Sequence, residues 1–221
     1  AQRLMSQVSM IFGIAPAVSP VIGGVLDEMF GWKSSFVLLA LLGVAVTLMA
    51  WADLGETKPA HGTASFAAQM REAPELLTSP RFWGYNCATM FASGAFFAYL
   101  GGAPFVGDKV FGLSSTHVGV LFALTAIGYA AGNFFAGRYS VRVGMNKMIL
   151  IGCVVTSAGL AVLALLTLAR LSGPTVFFGL TIFMGLGNGI CLPNANAGIL
   201  SVRPELAGTA SGLGGAMSVA G

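Results

Sequence analysis

Amide side chains are the polar groups that lie deepest inside the uncharged stretches of this sequence. Asn188, Asn194 and Asn196 fall within a run from Leu171 to Val202 that contains no Asp, Glu, Lys or Arg. An uncharged amide donates and accepts hydrogen bonds, so these residues offer recognition of another group rather than bond breaking. Enzymes inside membranes need His, Asp, Ser or metal-ligand constellations at depth, and no such spacing occurs here. The cysteines also lack metal-ligand spacing; they are Cys87, Cys153 and Cys191. The sequence therefore predicts neither an enzyme nor a metal or cofactor site.

Seven stretches without a charged side chain must position these groups. Each but the last is long enough for a helix across a bilayer core, which takes about 20 apolar residues. Backbone groups in lipid must bond internally, so we expect helices. The chain is 56% apolar and 9% charged, against about 25% charged in a soluble domain. These observations predict an all-α polytopic membrane protein. Because there is no initiator Met and the end is still apolar, we expect a chain truncated at both ends. The stretches are Leu4–Leu26, Ser34–Ala52, Phe82–Gly107, Val110–Gly137, Met148–Ala169, Leu171–Val202 and Leu206–Gly221.

The connecting segments alternate between the two sides of the membrane and differ in their cations. One side receives eight of the 11 Lys and Arg residues, which predicts that it is cytoplasmic. The other side receives only Lys33, Lys109 and Arg170. The formal net charge of +3 is small, and we expect no nucleic-acid partner.

The longest connector runs over residues 55–80 on the predicted cytoplasmic side. Phe66, Met70 and Leu77 recur there near helical spacing beside charged residues. This pattern suits a short amphipathic helix on the membrane surface, or equally a solvated linker. The connector separates two predicted helices from five, so we place a domain boundary in it.

A stripe of small and rigid residues runs along the first predicted helix. At about 100° per residue, five of its residues project within one sector about 100° wide: Gly13, Pro16, Pro20, Gly23 and Gly24. Another helix can approach such a surface at backbone distance, and two prolines favour a bend. The stripe predicts either a gating surface or ordinary close packing. Plain packing explains three further pairs at i,i+4 as well: Gly128/Gly132, Gly185/Gly189 and Gly208/Gly212.

Two motifs resemble those of major facilitator antiporters. The stripe resembles the proline-glycine motif of their fifth helix. A predicted cytoplasmic turn resembles the superfamily's loop signature, in which a Gly, an acid, an Arg and a Gly precede a closing basic residue. Val141 stands where the acid is expected, and Arg138 and Arg142 could also be plain positive-inside anchors. The residues of this loop motif are Gly137, Arg138, Arg142, Gly144 and Lys147.

Four further segments narrow the resemblance to drug:proton antiporters of the Bcr/CflA type. They are residues 54–59, 97–105, 193–197 and 207–211. By that comparison the seven predicted helices correspond to helices five to eleven of a twelve-helix bundle in the bacterial inner membrane. The resemblance implies that residues 1–54 end the N-terminal six-helix half, residues 55–80 form the cytoplasmic central loop and residues 81–221 belong to the C-terminal half.

The resemblance also implies a substrate cavity at the midplane between the halves, lined by the third and sixth helices of this chain. Asn194 and Asn196 are two residues apart and cannot share a helix face, so at most one faces the cavity unless Pro193 unwinds the helix. Any single aromatic residue could instead face lipid or fill the core. The cavity candidates are Tyr85, Asn86, Phe91, Phe96, Phe97, Tyr99, Asn188, Asn194 and Asn196.

The implied function is export of lipophilic drug-like small molecules in exchange for protons, by alternating access in a monomer. The partners would be a small lipophilic substrate, protons and the lipid bilayer. The alternative is a major facilitator transporter of a metabolite such as a sugar or an amino acid, whose site would usually show paired charges or several amides. A proton antiporter needs a titratable group in the membrane. None of the seven stretches contains an acid or a base of this kind, so we expect the coupling residue N-terminal to this chain.

Overall fold

A computed structural model describes residues 19–53, 74, 76–203 and 206–220. Within those ranges every regular element is helical, which confirms the predicted all-α class. Five helices are long and apolar enough to cross a membrane: α2, α3 with the π-helical turn that follows it, α4, α5 and α6. The described parts of α1 and α7 are shorter. The bounds are α1 at residues 19–30, α2 at Lys33–Asp53, α3 at Pro80–Phe105, the π-helical turn at Val106–Val110, α4 at Ser115–Val143, α5 at Met145–Leu168, α6 at Pro174–Val202 and α7 at Ala207–Ala220.

Helix α6 is the centre of the bundle and packs against α4, α5 and α3. Glycines bring α4 and α6 to backbone distance. A Cβ added at Gly128 would overlap the carbonyl oxygen of Ile182, and one added at Gly185 would overlap that of Thr125. Gly132 and Gly189 form the next layer of this contact. The third predicted pair differs, since a Cβ at Gly208 or Gly212 would meet no atom within 4 Å.

Helices α5 and α6 also meet through small residues. A Cβ at Gly152 would overlap Gly187 and Cys191 on α6. Close approach at this level brings the Cys153 and Cys191 sulfur atoms to 3.8 Å from one another, both as free thiols. Helix α6 therefore packs closely against both α4 and α5, and glycines mediate each contact.

Short turns join the central helices. Gly144 alone separates α4 from α5, and its φ of 92° is a left-handed conformation that favours glycine. At the other end of α4, the Ser114 hydroxyl caps the helix by accepting a hydrogen bond from the His117 backbone N–H at 3.4 Å.

An aromatic cluster joins α3, α4 and α6. The rings of Tyr99 and Phe122 lie 4.7 Å apart, and Phe178 is fully buried beside them. Ala103, Val118 and Met184 complete the buried part of the cluster. It fixes the face of α3 that is turned towards α4.

Helix α2 differs from the others because none of its residues is buried. Its apolar side chains point outward all round, and Trp51 at its end is 85% exposed. A helix that is apolar on every side suits a lipid or protein environment rather than water.

Candidate functional site

Helices α1, α3, α4 and α6 enclose a cavity of about 510 Å³. No charged side chain occurs among its lining residues in the described part of the chain. Its walls are mainly apolar and aromatic, with one amide and a few hydroxyl groups, as is common for sites that bind small molecules. The aromatic wall residues are Phe96, Phe97, Phe122 and Tyr129.

Three of the nine predicted cavity residues line this space: Phe96, Phe97 and Asn188. Phe91 is 70% exposed on the outside of α3. Tyr99 lies in the aromatic cluster, next to the cavity but outside its lining.

The other four candidates lie elsewhere in the bundle. The Tyr85 hydroxyl donates to Asn146 Oδ1 at 2.8 Å, at the predicted cytoplasmic end. Asn86 is buried, and Asn194 donates to the Ile190 carbonyl oxygen of its own helix. Asn196 lines a separate cavity of about 350 Å³ between α3, α6 and α7. Neither Asn194 nor Asn196 therefore lines the cavity between α1, α3, α4 and α6.

Helix α4 contributes a wall that the sequence analysis did not assign. Phe122, Thr125 and Tyr129 project into the lining from successive turns. Their spacing of three and four residues marks one helix face. The signal was present, but only the structure shows that this face is turned towards α3 and away from lipid.

A chain of hydroxyl groups crosses the bundle beside the cavity. The Tyr99 and Thr125 hydroxyl oxygens are 3.3 Å apart, and those of Thr125 and Thr181 are 2.7 Å apart. Thr181 in turn donates to the Phe178 carbonyl oxygen at 2.6 Å. The chain satisfies three buried polar groups and ties α3, α4 and α6 together.

Helix α1 closes one side of the cavity by lying against the start of α4. A Cβ at Gly119 would overlap the Pro20 carbonyl oxygen, and one at Gly24 would lie 2.6 Å from the Ser115 carbonyl oxygen. Gly23 is different, because a Cβ there meets nothing within 4 Å. Pro20 and Gly24 of the predicted stripe thus make the helix contact, while Gly13 and Pro16 lie outside the described residues.

Two carboxylates of α1 bind the first turn of α4 next to this contact. The Ser115 hydroxyl donates to Asp27 Oδ2 at 2.7 Å, and the Thr116 backbone N–H donates to Glu28 Oε1 at 3.0 Å. A negative charge is favourable at a helix N-terminus. We call these two hydrogen bonds the α1–α4 latch.

The environment of Glu28 favours its charged form. Hydrogen bonds from the Ser114 side chain and from the backbone and side chain of Thr116 hold the pKa of the Glu28 carboxyl below its ordinary value, and the nearby His117 adds to this. The latch thus carries a negative charge at neutral pH.

The predicted loop motif lies at the opposite end of α4. Arg138 and Arg142 are exposed in its last turns, and Arg142 occupies the final turn, where a cation is favourable. Gly144 forms the turn, and Lys147 is exposed in the first turn of α5. The motif therefore consists of the last turns of α4, the turn at Gly144 and the first turn of α5. A Cβ added at Gly137 would meet no atom within 4 Å.

Comparison with known proteins gives a family and several relatives. The profile of the Major Facilitator Superfamily matches residues 1–221. An uncharacterised MFS-type transporter of Bacillus subtilis, YdgK, is 27% identical over 96% of this chain and 53% of its own length. The "Bicyclomycin resistance protein homolog" of Haemophilus influenzae is 26% identical over 99% of this chain and 55% of its own. "Multidrug resistance protein D" of Escherichia coli is 29% identical over 92% of this chain and 51% of its own. The chain spans about half the length of these curated relatives.

Proposed function

The chain belongs to the major facilitator superfamily, and we propose that in the intact protein it forms part of a transporter that exports lipophilic drug-like small molecules in exchange for protons. Superfamily membership and five apolar helices make it a multi-pass protein of the bacterial inner membrane. Relatives named for bicyclomycin resistance and multidrug resistance support the drug class.

The uncharged aromatic cavity is the observation that carries this proposal. A sugar or a zwitterionic amino acid needs several hydrogen bonds or charges in its site, because a polar group without partners is costly to bury. The cavity offers one amide and no charged group among its described lining residues. Phe96, Phe97, Phe122 and Tyr129 instead offer apolar contact and stacking to a lipophilic molecule.

Alternating access would use the contact between α1 and α4. We assign α1 and α2 to one half of the transporter and α3 to α7 to the other, with the long connector between them. The only described contact of α1 with the second half that uses glycines is at Gly24 and Gly119. A surface without side-chain bulk lets two helices separate and rejoin without displacing other groups. We expect the intact transporter to act as a monomer.

The proposal is tested by transport in everted membrane vesicles that contain the intact protein. We expect uptake of a neutral lipophilic dye that depends on an imposed proton gradient and that stops when a proton ionophore is added. Vesicles without the protein serve as the control. Uptake that persists with the ionophore would contradict proton exchange, and uptake of a sugar or amino acid in place of the dye would support the metabolite alternative.

A further inference from the structure

Two cysteines that lie far apart in the sequence meet between α5 and α6. Cys153 belongs to α5 and Cys191 to α6, 38 positions further along the chain. Their sulfur atoms are 3.8 Å apart, and both are free thiols. Sequence spacing does not reveal this pair, because ligand motifs are recognised from cysteines that are close together in the chain. The structure thus places two soft sulfur donors side by side.

The distance between the two sulfur atoms suits donors that share one bound atom. A disulfide bond is about 2.0 Å long, so the two thiols are not bonded to each other. Two sulfur ligands of one tetrahedral zinc ion, each about 2.3 Å from the metal, lie about 3.8 Å apart. A thiophilic atom with bonds of similar length can therefore join Cys153 and Cys191 with little movement of either side chain.

Glycine contacts hold the two thiols in place. A Cβ added at Gly152 would lie 2.9 Å from the Cys191 Cβ, and one added at Gly187 would overlap the Gly152 carbonyl oxygen. Cys191 also belongs to a buried cluster with Ile149 and Ala195. The pair is therefore preorganised, so a ligand does not have to order the two side chains when it binds.

The surroundings of the pair favour a neutral, lipid-soluble ligand. Cys191 is 1% exposed, but Cys153 is half-buried and lies beside the exposed apolar side chains of Ile151 and Val154 on α5. A molecule dissolved in the apolar phase can therefore reach Cys153 first and Cys191 from there. A hydrated metal cation would lose its water in this apolar layer, whereas a neutral compound avoids that cost.

We propose that Cys153 and Cys191 form a bidentate binding site for lipid-soluble trivalent organoarsenic compounds. With phenylarsine oxide, the two S–H bonds and the bonds between arsenic and oxygen break, and two As–S bonds form. The oxygen leaves as water with both thiol protons. Arsenic remains trivalent throughout, so the step uses neither an oxidant nor a reductant. The bound arsenic atom joins α5 to α6, and this inference is independent of the proposed export function.

Cys87 provides a matched control. It is the third cysteine of the chain, lies on α3 and is also half-buried, but it is not part of the pair. An arsenic atom bound to a single thiol is released by exchange with a dissolved monothiol. An arsenic atom bound to two thiols resists this exchange, because the second bond keeps it at a high effective concentration beside the first thiol.

The test treats the intact protein in membrane vesicles with phenylarsine oxide, washes it with 2-mercaptoethanol and measures the mass of the protein. We expect the parent to keep one phenylarsenic group that Cys153→Ala and Cys191→Ala each lose. Its release should need a concentration of 2-mercaptoethanol at least about a hundredfold higher than in either variant. Cys87→Ala should keep this group, and the dithiol 2,3-dimercaptopropanol should remove it.

Moving the thiol by one position guards against a variant that merely fails to fold. Cys153→Ala combined with Val154→Cys keeps the number of thiols, but a step of about 100° around α5 places the new thiol at an exposed position. We expect 2-mercaptoethanol to release arsenic from this double variant as readily as from Cys153→Ala. Equal retention by the parent and Cys153→Ala, parent-like retention by the double variant, or loss of the group in Cys87→Ala would overturn the proposal.

Discussion

Phe91 and Phe96 show how one turn and a half of helix separates two identical side chains. Both belong to α3, yet Phe91 is 70% exposed and Phe96 lines the cavity. Five residues on a helix correspond to about 500°, so the two rings point in clearly different directions. The pair therefore distinguishes substrate contact from a general effect on the helix.

We predict that Phe96→Ala raises the KM for an exported lipophilic drug by up to about tenfold. An aromatic contact contributes about 1 kcal/mol of binding free energy in addition to the gain from burying apolar surface. Phe91→Ala should leave the KM unchanged, because its ring lies outside the cavity. Initial rates of dye uptake into vesicles at a range of dye concentrations measure both. Equal effects of the two substitutions would contradict the placement of Phe96 in the site.

The sequence predicted part of this site. Phe96, Phe97 and Asn188 were among its candidates because the resemblance assigned α3 and α6 to the cavity. Phe122, Thr125 and Tyr129 were not, although they share a helix face. That face turns inward because Gly128 and Gly132 bind α6 on the adjoining face of α4, and the rotation of α4 follows from this contact. The rotation of a helix about its own axis depends on which neighbouring helix packs against its small residues. A single sequence does not identify that neighbouring helix.

At the scale of elements, α1 and α4 are in contact at Gly24, where the two helix backbones meet without an intervening side chain. Gly24 and Gly23 are neighbours in sequence, but only Gly24 lies against α4. Its Cα hydrogen occupies the place where any other side chain would begin, 2.6 Å from the Ser115 carbonyl oxygen. A methyl group at that distance forces the helices apart.

We predict that Gly24→Ala lowers the rate of drug export at least severalfold, since α1 can no longer seat on α4. Gly23→Ala is the matched control and should retain the parent rate, because open space surrounds its Cβ position. Export rates are compared at equal amounts of protein in the membrane. A Gly24→Ala variant with the parent rate would remove the role assigned to this contact.

The observed helix bounds differ from the limits of the uncharged stretches that predicted the helices. The uncharged stretch Val110–Gly137 became α4 at Ser115–Val143. Gly112, with a φ of 63°, and the Ser114 cap delay the start of the helix. At the other end, Arg138 and Arg142 continue the helix, because long basic side chains reach the interface while their backbone remains helical. Uncharged runs thus locate membrane helices, whereas caps and turn residues set where they end.

At the scale of the whole molecule, the α1–α4 latch joins the two proposed halves at the predicted periplasmic end. A cleft of about 940 Å³ lies beside the latch and shares Pro20, Leu100 and Phe122 with the central cavity. Asp27, Glu28 and Ser115 of the latch form part of the wall of this cleft. We propose that the cavity opens further towards this end when the Asp27–Ser115 and Glu28–Thr116 hydrogen bonds break.

We predict that the latch is stable against pH over the range in which cells live. The pKa of the Glu28 carboxyl is lowered from its ordinary value of 4.5. Glu28 is therefore charged when the pH is above 4.5, and its charge stabilises the closed contact between α1 and α4. The contact is lost only as the pH falls through the lowered pKa. Spin labels at Met29 and Val120, both exposed, should give one short distance from about pH 8 to about pH 5, with longer distances at lower pH.

Glu28→Gln should shift the same pair of labels to longer distances already at neutral pH, because the charge at the N-terminus of α4 is gone. Asp108→Asn serves as control, since Asp108 lines the same cleft but pairs with Lys109 of its own turn at 2.8 Å. Unchanged distances in Glu28→Gln would show that the carboxylate does not hold the two helices together.

The glycines at the α1–α4 contact also bear on the thermodynamics of each transport cycle. A Leu or Met at such a contact loses rotamer freedom every time the helices meet and regains it when they part, an exchange of about 1 kcal/mol per side chain. Gly24 and Gly119 have no rotamers to lose, and the backbone cost of placing glycine in a helix is met once, during folding. Closing and opening therefore exchange little side-chain entropy at this surface. The free-energy difference between the two states is left to a few hydrogen bonds, so it should be mainly enthalpic, and heating should shift the populations towards the open state.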